Sequence, residues 1–196
     1  EMKHTFFKYQ GTGNDFVIID NREDIFNKLD NKLVAHLCDR RFGIGADGLI
    51  LLENHNEVDF KMVYYNSDGN KSTMCGNGGR CLVAFAKKLG IIDNKATFLA
   101  IDGLHHAEIE DDIVKLQMQD VSKIDIFNEH VFLDTGSPHH VEMRHDIDAI
   151  DIKKEGASIR YSEPYNDEGA NVNFVEKIND SIFSVRTLSL IHISEP

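Results

Sequence analysis

The stretch Met74-Cys75-Gly76-Asn77-Gly78-Gly79-Arg80-Cys81 sets two thiols around a glycine-rich run that leads into an apolar helical pattern. Its surroundings allow three uses of Cys75: half of a disulfide, a metal ligand, or a thiolate at a helix start. Spacing bears against a Cys75–Cys81 disulfide, because six helical residues rise about 9 Å whereas a bridge needs Cα atoms within roughly 7 Å. A structural zinc site wants paired cysteines with a second pair or histidines, and no second cluster accompanies these two. A cysteine just ahead of Gly76 sits at the positive end of a helix dipole, where free N–H groups favour negative charge and should lower the thiol pKa. The N–H groups of Gly76 and Asn77 can hold a carboxylate, since glycine lets the backbone approach an anion closely. One loop can thus bind an acid and present a base to it. The alternative, a buried cysteine beside a capping loop, stays open at this point, and Cys81, on the apolar helix face with Phe85, takes that second role.

Strands and two helices must position this loop. Thr5 to Tyr9 and Phe16 to Asp20 read as strands around a turn-rich loop from Gln10 to Asp15. Asn31 is placed to cap a helix running to about Arg41, with Leu33/Leu37 and Val34/Cys38 as i, i+4 pairs and Gly43 as its stop. Strands follow at Leu49 to Leu52 and Asp59 to Tyr65, the second closed by the turn Asn66-Ser67-Asp68-Gly69. Arg80 to Leu89 fits a helix stopped by Gly90. In the second half, Ala107 to Glu110 and Val114 to Gln119 are strands joined at Asp111-Asp112, and Val131 to Asp134 leads into Thr135-Gly136-Ser137-Pro138-His139-His140. Asp148 to Lys154 reads as a short helix, and Val172 to Glu176 and Ile182 to Thr187 as strands. A composition shift near Gln119-Asp120 marks a boundary between two α/β halves.

The chain has 196 residues, 41% hydrophobic and 28% charged, an ordinary globular balance. A formal charge of −12 argues against nucleic-acid or anionic-membrane surfaces, which need clustered Lys and Arg. No apolar run approaches a membrane span, no secretory leader pattern opens the sequence, and three cysteines do not make a secreted disulfide scaffold. The expectation is a soluble, cytoplasmic protein with reduced thiols and a small-molecule partner. His105-His106 and His139-His140-Val141-Glu142 look metal-like by composition only and read as solvated surface.

The sequence resembles the diaminopimelate epimerases, cofactor-independent amino-acid racemases, over nearly its whole length to about Thr187. The motifs that carry the resemblance are Gly11-Thr12-Gly13-Asn14-Asp15-Phe16, Gly43-Ile44-Gly45-Ala46-Asp47, Asn66-Ser67-Asp68-Gly69, Cys75 to Cys81, Gly136-Ser137-Pro138-His139 and Asn171-Val172-Asn173-Phe174. Six motifs in order leave little room for chance. Gly11-Thr12-Gly13 lacks the third glycine and the helix of a dinucleotide fingerprint.

The resemblance implies an α/β (α+β) fold of two similar domains, each a mostly antiparallel sheet curled around a central helix, with the active site between them and the Arg80 to Leu89 helix central to the first. It implies interconversion of LL- and meso-2,6-diaminopimelate, in lysine and cell-wall precursor biosynthesis, by two cysteines on opposite faces of the substrate, without cofactor or metal. By resemblance Cys75 is one acid/base residue, Asn14, Asn66 and Asn171 hold polar groups of the substrate, and Gly76 and Asn77 take its carboxylate. Ser137 stands where many members carry asparagine, and His139 is a candidate to orient the thiol pair. The full-length protein is expected to be a homodimer. A related racemase acting on proline or hydroxyproline, and a non-catalytic anion-binding module, are the competing classes. Gly-Asn-Asp-Phe and Asn-Val-Asn-Phe favour diaminopimelate.

The family's second cysteine, on a Cys-Gly-Thr/Ser-Gly motif after Glu-Arg, has no counterpart beyond Cys81. Leu188 to Pro196 instead resembles the translation of a sequencing-library adapter. The expected organisation is therefore an N-terminal domain over 1–119, a partial C-terminal domain over 120–187 and an artefactual tail over 188–196. Glu1 ahead of Met2 accords with a truncated gene fragment, inactive for lack of the second thiol.

Overall fold

A computed structural model describes residues 5–166 and 169–189. Strand β1 (Phe7–Gly11) and strand β2 (Asn14–Asp20) form an antiparallel hairpin in which Gly11 faces Asn14. The reversal is therefore only Thr12-Gly13, shorter than the six-residue loop expected from composition. Both turn residues have positive φ, 51° and 91°, the geometry whose twist matches that of paired strands.

Helix α1 (Asn31–Cys38) is capped by Asp30, not Asn31: the Asp30 carboxylate accepts from the Leu33 N–H at 2.9 Å. It also ends earlier than Arg41. Asp39 turns extended, its carboxylate taking the N–H groups of Arg41 and Phe42, while the N–H groups of Ile44, Gly45 and Ala46 satisfy the carbonyls of Leu37 and Cys38. Strand β3 (Gly48–Glu53), buried throughout, pairs parallel with β2 and antiparallel with β4 (Phe60–Asn66).

Helix α2 (Gly76–Lys88) begins four residues before the expected Arg80, with Cys75 as its N-cap. Its glycines are helical, although each weakens a helix by about 1 kcal/mol relative to alanine. Packing is the reason. A Cβ on Gly78 would lie 3.0 Å from Ile50 Cδ1, and one on Gly79 would lie 2.7 Å from Met74 Cε and 3.2 Å from Leu116 Cδ2. Beyond α2 come β5 (Lys95–Ala100), β6 (Gly103–Glu110) and β7 (Ile113–Leu116). Strand β5 carries no clean alternation in sequence. It is held by Phe98, fully buried and stacked on Phe60 at 5.0 Å.

The seven strands make one sheet in the order β1-β2-β3-β4-β5-β6-β7, antiparallel except at β2/β3 and β4/β5. Helix α2 packs against both edge strands, β1 and β7, as well as β2, β3, β4 and β6. One helix about 10 Å across can reach both edges only if the sheet curls around it. Phe85 anchors the contact, fully buried with its ring 4.9 Å from Phe7 and 5.8 Å from Tyr9.

Contacts divide the chain into two units, Glu1–Met118 and Gln119–Pro196. The second holds β8 (Ile124–Ile126), β9 (Val131–Asp134), β10 (Pro138–Met143), β11 (Asn171–Lys177) and β12 (Phe183–Leu188), in the order β12-β11-β10-β9-β8 with only β10/β11 parallel. The helix expected over Asp148 to Lys154 is two elements, a 3₁₀ turn (Ile147–Ala149) and helix α3 (Ile152–Arg160). Ile150 is extended, and the Asp151 side chain caps α3 by accepting from Lys154 N–H at 3.1 Å. Arg186 of β12 ties the break down by donating to the carbonyls of Ile147, Asp148 and Ile150. Val172, Phe174, Ile147 and Leu188 form the core of this unit. Leu188, where the expected tail begins, is thus a buried strand residue opposite Val172; 190–196 lie outside the described residues. Among the described residues no helix is long and apolar enough to cross a membrane.

If α2 is the pin of the first unit, Phe85→Ala will lower its stability in urea by about 3–5 kcal/mol. A loss under about 1 kcal/mol would show that the curled sheet does not depend on this contact.

Candidate active site

Cys75 lies at the junction of Met74, which is buried in the first unit, and the first turn of α2. Its Sγ accepts from the Gly78 N–H at 3.5 Å and its carbonyl takes the Gly79 N–H at 2.8 Å. The capping function that serine or aspartate usually serves thus falls to a thiol. The disposition of this thiol differs from the expectation of a lowered pKa. Burial pushes the Cys75 thiol up, and the N–H groups of Gly78 and Asn77 and the charge of Arg80 oppose that only in part. At neutral pH the group is a thiol that becomes a strong base once ionised. Cys81 and Cys38 are buried in α2 and α1, their thiols pushed by burial up to about 11 and about 12. All three cysteines are free.

Three of the sequence-selected residues meet Cys75 at the start of α2. Gly76 and Asn77 are its first two helical residues, and Asn14, the first residue of β2, is buried beside them. The Asn77 side-chain NH₂ donates to Asn14 Oδ1, and Asn77 Oδ1 accepts from Arg80 and, at 3.0 Å, from the Thr12 hydroxyl. The hairpin tip is thereby tied to the helix start. A Cβ on Gly76 would lie in ordinary contact with Arg80 and Met118, both at 3.7 Å, so those two side chains border the first residue of the helix. Asn66 is held differently. It closes the turn after β4 through its backbone, its N–H donating to Asn70 O and its carbonyl accepting from Gly69.

Asp15, Arg40 and Asp47 were not singled out as site residues, yet they stand directly behind Asn14. Arg40 bridges Asp15 at 2.8 Å and Asp47 at 3.0 Å, and Lys8 reaches Asp15 at 2.7 Å. Burial alone would raise the Asp15 carboxyl, but Arg40 and Lys8 hold it well below the usual carboxylate range. The sequence signals for this cluster were Asp15 in the Gly11 to Phe16 motif and Asp47 at the end of the Gly43 to Asp47 motif.

The second unit gathers Ser137, His139 and Asn171. Asn171 Nδ2 donates to Ser137 Oγ at 3.3 Å and to the Pro138 carbonyl at 3.0 Å, and His139 Nε2 lies 3.3 Å from Ser137 Oγ. Asn173, two residues on and so on the same strand face, places its NH₂ 3.1 Å from His139 Nδ1. Burial lowers the His139 pKa despite that contact, leaving the ring neutral at pH 7. The solvated reading holds for His106, which is exposed, and is corrected for His105 and His140. His105 is buried, 2.8 Å from Asp102 and stacked on Phe98, and His140 is buried between Tyr165 and Glu142. Each finds a polar partner inside the protein. No group of three or more metal-ligating side chains occurs among the described residues.

A family profile described as diaminopimelate epimerase matches residues 6–124. A diaminopimelate epimerase of Flavobacterium psychrophilum is 64% identical over 182 residues, 92% of this chain and 71% of that protein. The chain belongs to the diaminopimelate epimerase family. The enzyme of that name from Chlorobaculum tepidum is 43% identical over 186 residues, 90% of this chain and 72% of its own. Among solved structures, a Bacillus anthracis phenazine biosynthesis protein of the PhzF family has a TM-score of 0.70 at 13% identity, covering 96% of this chain and 73% of that one. A hydroxyproline epimerase from Agrobacterium vitis has a TM-score of 0.66 at 12% identity, covering 94% and 70%. These last two share the fold. The α+β architecture of two curled sheets is thus that of the family, whose members named here are isomerases.

The opposing pulls on Cys75 make a measurable order of reactivity. Iodoacetamide is expected to modify Cys75 with a pH inflection above the ordinary value of about 8.5, while Cys38 and Cys81 stay unmodified until the protein unfolds. Peptide mass spectrometry across pH 6 to about 10 reads both. An inflection below about 8 would mean that the helix N-terminus outweighs burial.

Proposed function

We propose that this chain carries out the proton-transfer chemistry of a diaminopimelate epimerase, with Cys75 as an acid/base residue at the α-carbon of LL- or meso-2,6-diaminopimelate. The observation that carries this is the thiol at the N-cap of α2, beside the N–H groups of Gly76 and Asn77. In its ionised form Cys75 takes the α-proton, the C–H electron pair passes toward the α-carboxylate, and the same thiol or water returns a proton to the carbon, which exchanges the α-proton; inversion requires in addition an acid on the opposite face. The N–H groups of Gly76 and Asn77 and the helix dipole stabilise the charge gathering on that carboxylate. Burial assists by raising thiolate basicity, which brings it closer to that of the carbon acid.

Asn14, oriented by its neighbours, and Asn66 bind polar groups of the substrate from the first unit. Within the second unit, Asn171, Ser137 and His139 form a hydrogen-bonded polar cluster able to bind polar groups. Cys81 and Cys38 are too deeply buried to return the second proton. The chain spans 71% of the length of its Flavobacterium psychrophilum relative, and the second acid is not one of its own remaining thiols. The charge of −12 suits a cytoplasmic biosynthetic enzyme that binds neither nucleic acid nor anionic membrane.

Loss of the α-proton signal in D₂O, followed by ¹H NMR with LL- and with meso-diaminopimelate, tests the assignment. Cys75→Ser retains a helix cap but not a thiol base, and is expected to slow exchange by about 10²–10⁴-fold. Exchange at the unsubstituted rate would remove Cys75 from the mechanism. Faster exchange of trans-4-hydroxy-L-proline than of diaminopimelate would reassign the substrate.

A further inference from the structure

We infer that Asp47 is a positioning residue whose carboxylate sets the amide orientation of Asn14 and, through Asn14, of Asn77 at the start of α2. The chain of contacts runs in one direction only. An ionised carboxylate accepts hydrogen bonds and donates none, so the group Asn14 turns toward Asp47 Oδ2 is its NH₂, at 3.2 Å. The Asn14 carbonyl then faces the other way, where it accepts from the Asn77 NH₂. The Asn77 carbonyl in turn faces two donors, Thr12 and Arg80. Asp47 fixes the Asn14 end of this chain and the Arg80 guanidinium favours the same direction at Asn77, so the amide ends agree over three side chains and two hydrogen bonds. Reversing Asn14 alone would set an amide oxygen against a carboxylate and an NH₂ against an NH₂.

Asp47 is itself held against rotation. Its Oδ2 also accepts from the Asp15 N–H at 3.1 Å, its Oδ1 from Arg40 at 3.0 Å, and its own N–H donates to the Asp15 carbonyl at 2.9 Å. Arg40 is fixed by its two bonds to Asp15, at 2.8 and 3.2 Å. The glycine of the same motif makes this approach possible. Gly45 has φ +82°, and a Cβ there would lie 3.0 Å from Arg40 Cα and 3.2 Å from Arg40 Cγ. The motif from Gly43 to Asp47, which supplies no residue to the proposed site, therefore acts behind it: glycine admits Arg40, Arg40 locks Asp47, and Asp47 orients Asn14.

The amide orientation can be tested without substrate. In ¹⁵N-labelled protein the side-chain NH₂ signals of Asn14 and Asn77, assigned by their loss in Asn14→Asp and Asn77→Asp, report solvent exchange. Asp47→Asn removes the fixed acceptor at constant shape and is expected to speed exchange of the Asn77 NH₂ by about tenfold or more, although residue 47 is one side chain removed from it. Arg40→Met, at a half-exposed position, loosens the same carboxylate without replacing it and is expected to move that signal in the same direction. It decides the matter if Asp47→Asn does not fold. Unchanged Asn77 exchange in the folded variants overturns the inference.

The catalytic consequence rests on the proposed epimerase function. Asp47→Asn should raise KM for diaminopimelate more than it lowers kcat, and should add less than about twofold in an Asn14→Ala background. Equal effects in both backgrounds would mean that Asp47 does not act through Asn14. If the unsubstituted protein exchanges no α-proton, it is the functional proposal that fails, and the ligand-free amide signals still decide the role of Asp47.

Discussion

The first unit depends on the burial of one helix. Helix α2 touches both edge strands of a seven-stranded sheet, so the sheet must close around it, and Phe85 fills the space against Phe7 and Tyr9. The same burial explains the glycines. Side chains at 78 and 79 would collide with Ile50, Met74 and Leu116, so the helix accepts poor formers in its first turn to seat its N-terminus inside the sheet. A helix start in that position has N–H groups that water cannot satisfy freely, and the Cys75 side chain becomes the partner of one of them.

That placement creates opposing effects on one thiol. The dipole and the N–H groups favour the thiolate, while burial favours the thiol, and burial is the larger. For proton abstraction from carbon the outcome is useful in both directions: a basic thiolate removes the proton well, and a stable thiol is the correct form to donate one. The polar residues around it are anchored from behind by charges, Asp47 and Asp15 with Arg40 and Lys8, so that amides near the helix start face a set direction.

Sequence patterning located most elements of both units, but the ends of elements followed tertiary demands. Asp30 rather than Asn31 caps α1 because its side chain reaches the Leu33 N–H. The hairpin loop shrank to Thr12-Gly13 because strand pairing extends to Gly11 and Asn14, which turned Asn14 from a loop residue into a strand residue facing the helix. Strand β5 was missed because its signal is cross-strand stacking of Phe98 on Phe60, a contact between residues 38 apart in the chain. His105 and His140 were read as surface because composition does not reveal that Asp102, Tyr165 and Glu142 accompany them inside.

By itself the sequence determined the kinship, through its ordered motifs, and set a cysteine before a glycine-rich helix start. These are local properties, fixed by residue type and by neighbours along the chain. The tertiary structure decided the protonation balance of Cys75, the joining of Asn14 to Asn77, and the place of Asp47 behind them. Each depends on burial or on contacts between distant segments, such as residues 14, 47 and 77, and burial and orientation arise only when the sheet has closed around α2.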